Sequence, residues 1–127
     1  MEPVAIVTAL ALFQYFAFSY WVGAARVKHG VHAPAITGHP EFERSFRIQQ
    51  NTVEQLIVFL PALWIFGWYV HALTAAALGL LFIVGRFVYR ASYLRDPSTR
   101  SLGFGIGALA MSALLIGGLI GAVLSWI

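Results

Sequence analysis

Three residues that can do chemistry stand on what should be one face of one helix. Arg47, Asn51 and Glu54 are spaced i, i+4 and i+7, a spacing that stacks side chains along one side of an α-helix. Gln50 falls near that face and Gln49 to one side of it. A guanidinium can hold a carboxylate, a carboxylate can hold an ammonium, and the amide of Asn51 can meet either end of a peptide group. A second set follows the same rule. Arg86, Tyr89, Arg90 and Tyr93 are spaced i, i+3, i+4 and i+7, so two guanidiniums and two phenols share a face. Beyond them Asp96-Pro97-Ser98 breaks the helix. Ser98 is expected to cap the next helix, with Arg100 in its first turn. A cation is disfavoured there by the helix dipole, so Arg100 makes sense if an anion sits between it and the helix terminus. Together these residues predict a cationic, hydrogen-bonding pocket for a polar anion.

The elements that carry them are set by where charge is missing. Of the 127 residues, 60% are hydrophobic and 10% are charged, and the mean hydropathy is +0.80. Soluble domains carry roughly 25% charge, so a water-soluble enzyme is excluded. The absence of Cys excludes disulfide scaffolds, Cys-ligated zinc and catalysis by a thiol of the chain. Pro3 to Ala25, Gln55 to Gly85 and Ser101 to Ile127 hold no Lys, Arg, Asp or Glu. About 20 apolar residues cross a bilayer core, and the middle run is too long for one crossing. It splits at Gly67-Trp68-Tyr69-Val70-His71. The expected fold is all-α: a single four-helix integral-membrane bundle spanning residues 1–127, with helices over about 3–27, 40–68, 72–94 and 98–126. The second helix begins at Pro40, with Glu41 and Glu43 in its first turn.

Four spans place both termini on one side. All eight Lys and Arg lie in or beside the first and third connections, which predicts that this end, with the pocket, is cytoplasmic and that both termini lie opposite. The first span is expected to be retained rather than cleaved, because no basic residue precedes its long apolar run. Lys28, Arg44 and Arg95 fit ordinary headgroup anchors. Asn51 and Glu54 reach too short a distance to escape the bilayer that way, so their stripe needs a protein or water-filled interior. His29, His32 and His39 lie in or beside an irregular Gly- and Pro-bearing connection, without two on one helical face, and are expected to be interfacial residues rather than metal ligands. No metal and no nucleic-acid partner are expected. A channel is disfavoured because the polar stripes stop at one depth, and the fourth helix is apolar and Gly-rich, suited to close packing.

The segment Glu41-Phe42-Glu43-Arg44-Ser45-Phe46-Arg47-Ile48-Gln49-Gln50-Asn51-Thr52-Val53-Glu54, together with Arg86 through Arg100, resembles the MAPEG family of small four-helix membrane proteins of eicosanoid and glutathione metabolism. The likeness runs over nearly the whole chain. It implies that Arg47, Asn51 and Glu54 bind glutathione, that Gln49 and Arg26 add polar contacts, and that Tyr89 and Tyr93 line the site. The residue matching the arginine that holds the glutathione thiolate is Arg100. The resemblance also implies a homotrimer with each site between neighbouring subunits. Gln55, Val27 and Ser112 depart from the leukotriene-forming members, which have a tyrosine, an arginine and a tryptophan there. The expected activity is therefore a membrane glutathione transferase. Arg47, Arg26 and Arg90 would meet the two carboxylates of glutathione and Glu54 its ammonium. The thiolate would attack an apolar electrophile from the bilayer, and hydroperoxide reduction would be a second use of the same sulfur. The alternative is a non-catalytic lipid-binding scaffold on the same fold.

Overall fold

The computed structural model describes residues 1–127. Its four long helices are α1 (Glu2–His29), α2 (Pro40–Tyr69), α3 (Ala72–Arg95) and α4 (Ser101–Trp126). A short 3₁₀ turn, Pro97–Thr99, precedes α4. Each boundary has a local cause. Pro3 and Pro40 sit in first turns, where a missing N–H costs nothing. Gly30 ends α1 in the left-handed region at φ 65°, a conformation that glycine adopts without steric cost. The His39 side chain caps α2 by accepting from the Glu41 N–H. His71 caps α3 in the same way, accepting from the Thr74 N–H. Only Val70 and His71 separate α2 from α3, so these helices must run antiparallel.

One boundary differs from the sequence expectation. Ser98 does not cap α4. It lies inside the 3₁₀ turn, where its N–H donates to Asp96 Oδ1 at 3.1 Å. Arg100 is the residue that flanks α4, just ahead of its first turn. The cause is Pro97, which is well suited to the first position of a turn and lets the Asp96 carboxylate, rather than the Ser98 hydroxyl, take the free N–H.

All four helices are long and apolar enough to cross a membrane. α1 packs against α2 and α3, and α4 packs against the same pair. The core includes Val4, Val7, Ala11, Leu63 and Leu114. At its centre the Phe59 and Phe82 rings stack with centroids 3.9 Å apart. With the exception of Arg86 Nε, buried side-chain polar atoms of the bundle are paired, as a bilayer requires. Gln14 of α1 donates to the Ile83 carbonyl of α3 at 2.8 Å, and Trp64 Nε1 of α2 donates to Thr8 Oγ1 of α1 at 2.9 Å. Outward-facing Phe13, Phe16, Leu109 and Leu119 are exposed, as lipid contact demands.

The α3–α4 seam is the tightest. A Cβ on Gly85 would lie 2.9 Å from the Gly107 backbone nitrogen, and one on Gly103 would run into the backbone of Tyr89. Glycine is needed here because the two backbones touch. The contact fixes Tyr89 relative to the start of α4. The C-terminal ends of α1 and α3 and the N-terminal ends of α2 and α4 gather at one end of the bundle. That end carries every Lys and Arg of the chain, and the opposite end carries none.

Candidate functional site

A cavity of about 560 Å³ opens between α2, α3 and α4 at the cationic end. This lies within the usual range for small-molecule sites, roughly 300–1,000 Å³. Arg47 and Asn51 reach it from α2, Tyr89 and Tyr93 from α3, Arg100 from the turn, and Ser101 and Phe104 from α4. No Asp or Glu lines it. Five residues expected from the sequence to act together, drawn from three separate segments, are thus brought to one wall.

Arg47 is exposed to the cavity and no protein carboxylate neutralises it; the only ion pairs are Met1–Glu2, Lys28–Glu41 and His29–Glu41. The phenol rings of Tyr89 and Tyr93 lie 5.5 Å apart, centroid to centroid, tilted by 30°. Tyr89 is buried at its base by Phe18 and Ile48, and Tyr93 is half-buried. Arg100 is placed by the turn before it. Its Nη1 donates to the Pro97 carbonyl at 3.0 Å. Thr99 Oγ1 donates to both Ser92 O and Asp96 O. Asp96 closes the turn through Ser98, and accepting that N–H holds its carboxyl below the ordinary range. With one nitrogen so used, the remaining guanidinium donors of Arg100 are free for a ligand.

The sequence places Arg86 in the stripe with the tyrosines and assigns it no individual contact to a ligand. The structure buries it to 1% exposure directly behind the cavity wall. Its Nη2 donates to Asn51 Oδ1 and to Thr52 Oγ1, both at 2.8 Å. Its guanidinium lies 4.2 Å from the Tyr89 ring centroid. A basic residue a full turn deeper in the span than the next cation, Arg90, was the available signal, because a buried arginine needs partners.

Four sequence candidates do not reach this cavity within one chain. Arg90 turns to α1, where its guanidinium stacks 4.1 Å from the Trp21 ring. Gln49 also faces α1 and donates to Ser19 Oγ at 3.1 Å. Arg26 donates to the Ala35 carbonyl at 2.7 Å and lies over the Phe42 ring, so it braces the α1–α2 connection. Glu54 is exposed and unpaired on α2, about 4.5 Å of helical rise beyond Asn51. Arg44, expected to anchor to headgroups, instead donates to the Leu94 carbonyl at the end of α3 at 3.1 Å.

The connection also gathers residues that the sequence kept apart. His29 and His39 stack with centroids 3.6 Å apart, and His29 Nε2 lies 3.0 Å from Glu41 Oε2. These three are the group whose donor atoms could converge on a metal ion. Chemistry disfavours it. His39 Nδ1 accepts the capping N–H of Glu41, so the neutral ring carries its proton on Nε2. Coordination would cost the α2 cap.

The cavity therefore offers three cations, Arg47 and Arg100 on its wall and Arg86 behind it, together with phenol and amide groups. It can take a polar anion and stabilise charge on it. The MAPEG family model matches residues 4–120. An uncharacterised protein of Synechocystis sp. is 43% identical over 116 residues, covering 91% of this chain and 85% of that protein. Human microsomal glutathione S-transferase 2 is 44% identical over 113 residues, covering 87% of this chain and 77% of the relative. Leukotriene C4 synthase of Cavia porcellus is 41% identical over 96 residues, covering 76% and 64%.

Proposed function

The chain belongs to the MAPEG family, and from that premise we propose that it is a membrane glutathione transferase that activates the thiolate of glutathione for attack on apolar electrophiles. The observation that carries this reading is the cavity itself, which sets Arg47, Asn51, Tyr89, Tyr93 and Arg100 around one space with no acidic residue. Glutathione has two carboxylates, one ammonium and one thiol. Arg47 meets a carboxylate, Asn51 and the phenols meet amide and carboxylate groups, and Arg100 holds the sulfur. A free thiol titrates near 8.5, and a guanidinium beside it favours the thiolate. The thiol proton leaves to solvent. The sulfur then attacks the electrophile, expelling halide from an aryl halide. With a lipid hydroperoxide it takes the terminal oxygen as the O–O bond breaks and the lipid leaves as its alcohol, and a second glutathione then converts the sulfenic acid to disulfide and water.

We further infer a homotrimer with the site between subunits. Glu54 supports this, since an exposed carboxylate inside a membrane-spanning helix needs a covering surface. In that assembly Glu54 meets the glutathione ammonium, and Arg26, Gln49 and Arg90 face the cavity of a neighbour only if they leave their present partners. The cationic end faces the cytoplasm and both termini face away from it. Turnover of glutathione with an aryl halide and with a lipid hydroperoxide, run in parallel on purified protein, tests the activity. Glutathione binding without turnover of either would favour the scaffold instead.

A further inference from the structure

We propose that Arg86 is a positioning residue that locks the Asn51 amide in one orientation, making Asn51 a hydrogen-bond donor to the ligand and requiring an acceptor of glutathione, a carboxylate or amide oxygen, at that point. The inference rests on the glutathione reading and adds what one wall of the site demands of the ligand.

An amide side chain can turn either end to a partner, so a cavity-lining asparagine is ordinarily ambiguous. Here the ambiguity is removed. A guanidinium has donors only, so the Asn51 atom within 2.8 Å of Arg86 Nη2 is its oxygen. The amide NH2 is then the end left for the cavity that Asn51 lines. It donates to nothing in the chain. The one buried side-chain polar atom without a partner is Arg86 Nε, so the Asn51 NH2 is accessible.

Arg86 itself cannot turn away. It is 1% exposed, and its Nη2 also donates to Thr52 Oγ1. The Thr52 hydroxyl in turn donates to the Ile48 carbonyl at 2.7 Å, so its lone pairs are aimed at Arg86. The guanidinium carbon lies over the Tyr89 ring, another wall of the cavity. One buried side chain thus ties an α2 wall residue to an α3 wall residue. Reversing the amide would set two donors against each other at a guanidinium that is itself buried from solvent, which is costly.

Asn51→Asp is the deciding variant. It keeps size and keeps an oxygen for Arg86, and it replaces only the NH2 with a second acceptor. Calorimetry with glutathione should show affinity lower by roughly 10- to 100-fold, the effect of setting acceptor against acceptor at a charged contact. The thermal midpoint should not fall, because the contact with Arg86, already donated by a cation, becomes an ion pair. Equal or tighter binding would overturn the proposal, since Asn51 would then be accepting from the ligand. Arg86→Lys retains the charge but cannot span Asn51, Thr52 and the Tyr89 face at once. It should raise KM for glutathione while leaving kcat within about twofold. Placed on the Asn51→Asp background it should add little, because the donor is already gone; full additivity would refute action through Asn51. Wild-type protein that bound no glutathione would overturn the functional reading and this one together. Wild-type binding with an indifferent Asn51→Asp would overturn this one alone.

Discussion

Replacing Arg100 with Ala separates holding glutathione from activating it. The guanidinium stands at the mouth of the cavity, exposed, steadied by one bond to the Pro97 carbonyl. A thiolate at about 4 Å from it gains about 1 kcal/mol in bulk water and about 4 kcal/mol at the effective dielectric of a protein surface. The cavity is open, so the gain lies between these limits. At 1.36 kcal/mol per unit, the thiol is held about one to three units below its free value near 8.5. Raised acidity of this kind leaves the sulfur ionised above the depressed pKa. In Arg100→Ala the thiolate therefore forms only as pH rises through the free value. For a two-unit shift, activity at neutral pH drops by about 25-fold and recovers above pH 9. Glutathione binding is retained through Arg47 and Asn51, and Arg100→Lys falls between, keeping charge but not fork geometry. Thiolate absorbance in the ultraviolet, titrated with bound glutathione, reads the shift directly. Unchanged absorbance and turnover in Arg100→Ala would refute the assignment and leave Arg47 or Tyr93 to hold the sulfur.

Arg47→Ala should weaken glutathione binding by about 1.5–3 kcal/mol, the worth of a hydrogen bond to a charged group, whereas Arg44→Ala should lower the thermal midpoint by freeing the Leu94 carbonyl and leave affinity nearly intact; calorimetry and a melt on both variants separate them. Gly103→Val forces α4 off the Tyr89 backbone and should cost about 1–3 kcal/mol of stability, with glutathione affinity falling alongside. An unaltered melting curve would show that the seam is looser than described. A reporter fused after Ile127 should prove non-cytoplasmic, and a cytoplasmic signal would reverse the assigned orientation.

The helices and the inventory of the cavity were open to reading from the sequence for different reasons. Charge-free runs bounded by Arg26, Glu54, Arg86 and Arg100 leave a bilayer-spanning chain little choice: α1 and α4 fall within a few residues of those limits, while α2 begins back at Pro40 and α3 runs on to Arg95, each carrying its polar stripe beyond the charge-free run. Direction within a stripe is another matter. At 100° per residue, Tyr89 and Arg90 lie on the same broad face of α3 yet point 100° apart. Only the position of α1 decides that Arg90 meets Trp21 while Tyr89 meets the cavity. Gln49, roughly 160° from Asn51 around α2, is turned to Ser19 for the same reason. Arg26 was lost to a connection whose carbonyls no periodicity foretells. The bond from Arg86 to Asn51 crosses two helices, and its register is set by how α2 and α3 slide against each other.

The gathering of every Lys and Arg at one end has a mechanical consequence. Strongly hydrated groups resist entering hydrocarbon, so that end is moored at a fixed depth. The other end offers Trp68, Tyr69, His71 and Trp126, and aromatic rings sit comfortably over a span of interfacial depths. α3, with 24 residues, is about 36 Å long against a hydrocarbon core of about 30 Å. A thicker or thinner bilayer is then accommodated at the unmoored end, by tilt or by local lipid deformation. The mouth of the cavity keeps its distance from one headgroup layer whatever the membrane, so a solute arriving from water and one arriving from the acyl chains meet at the same height.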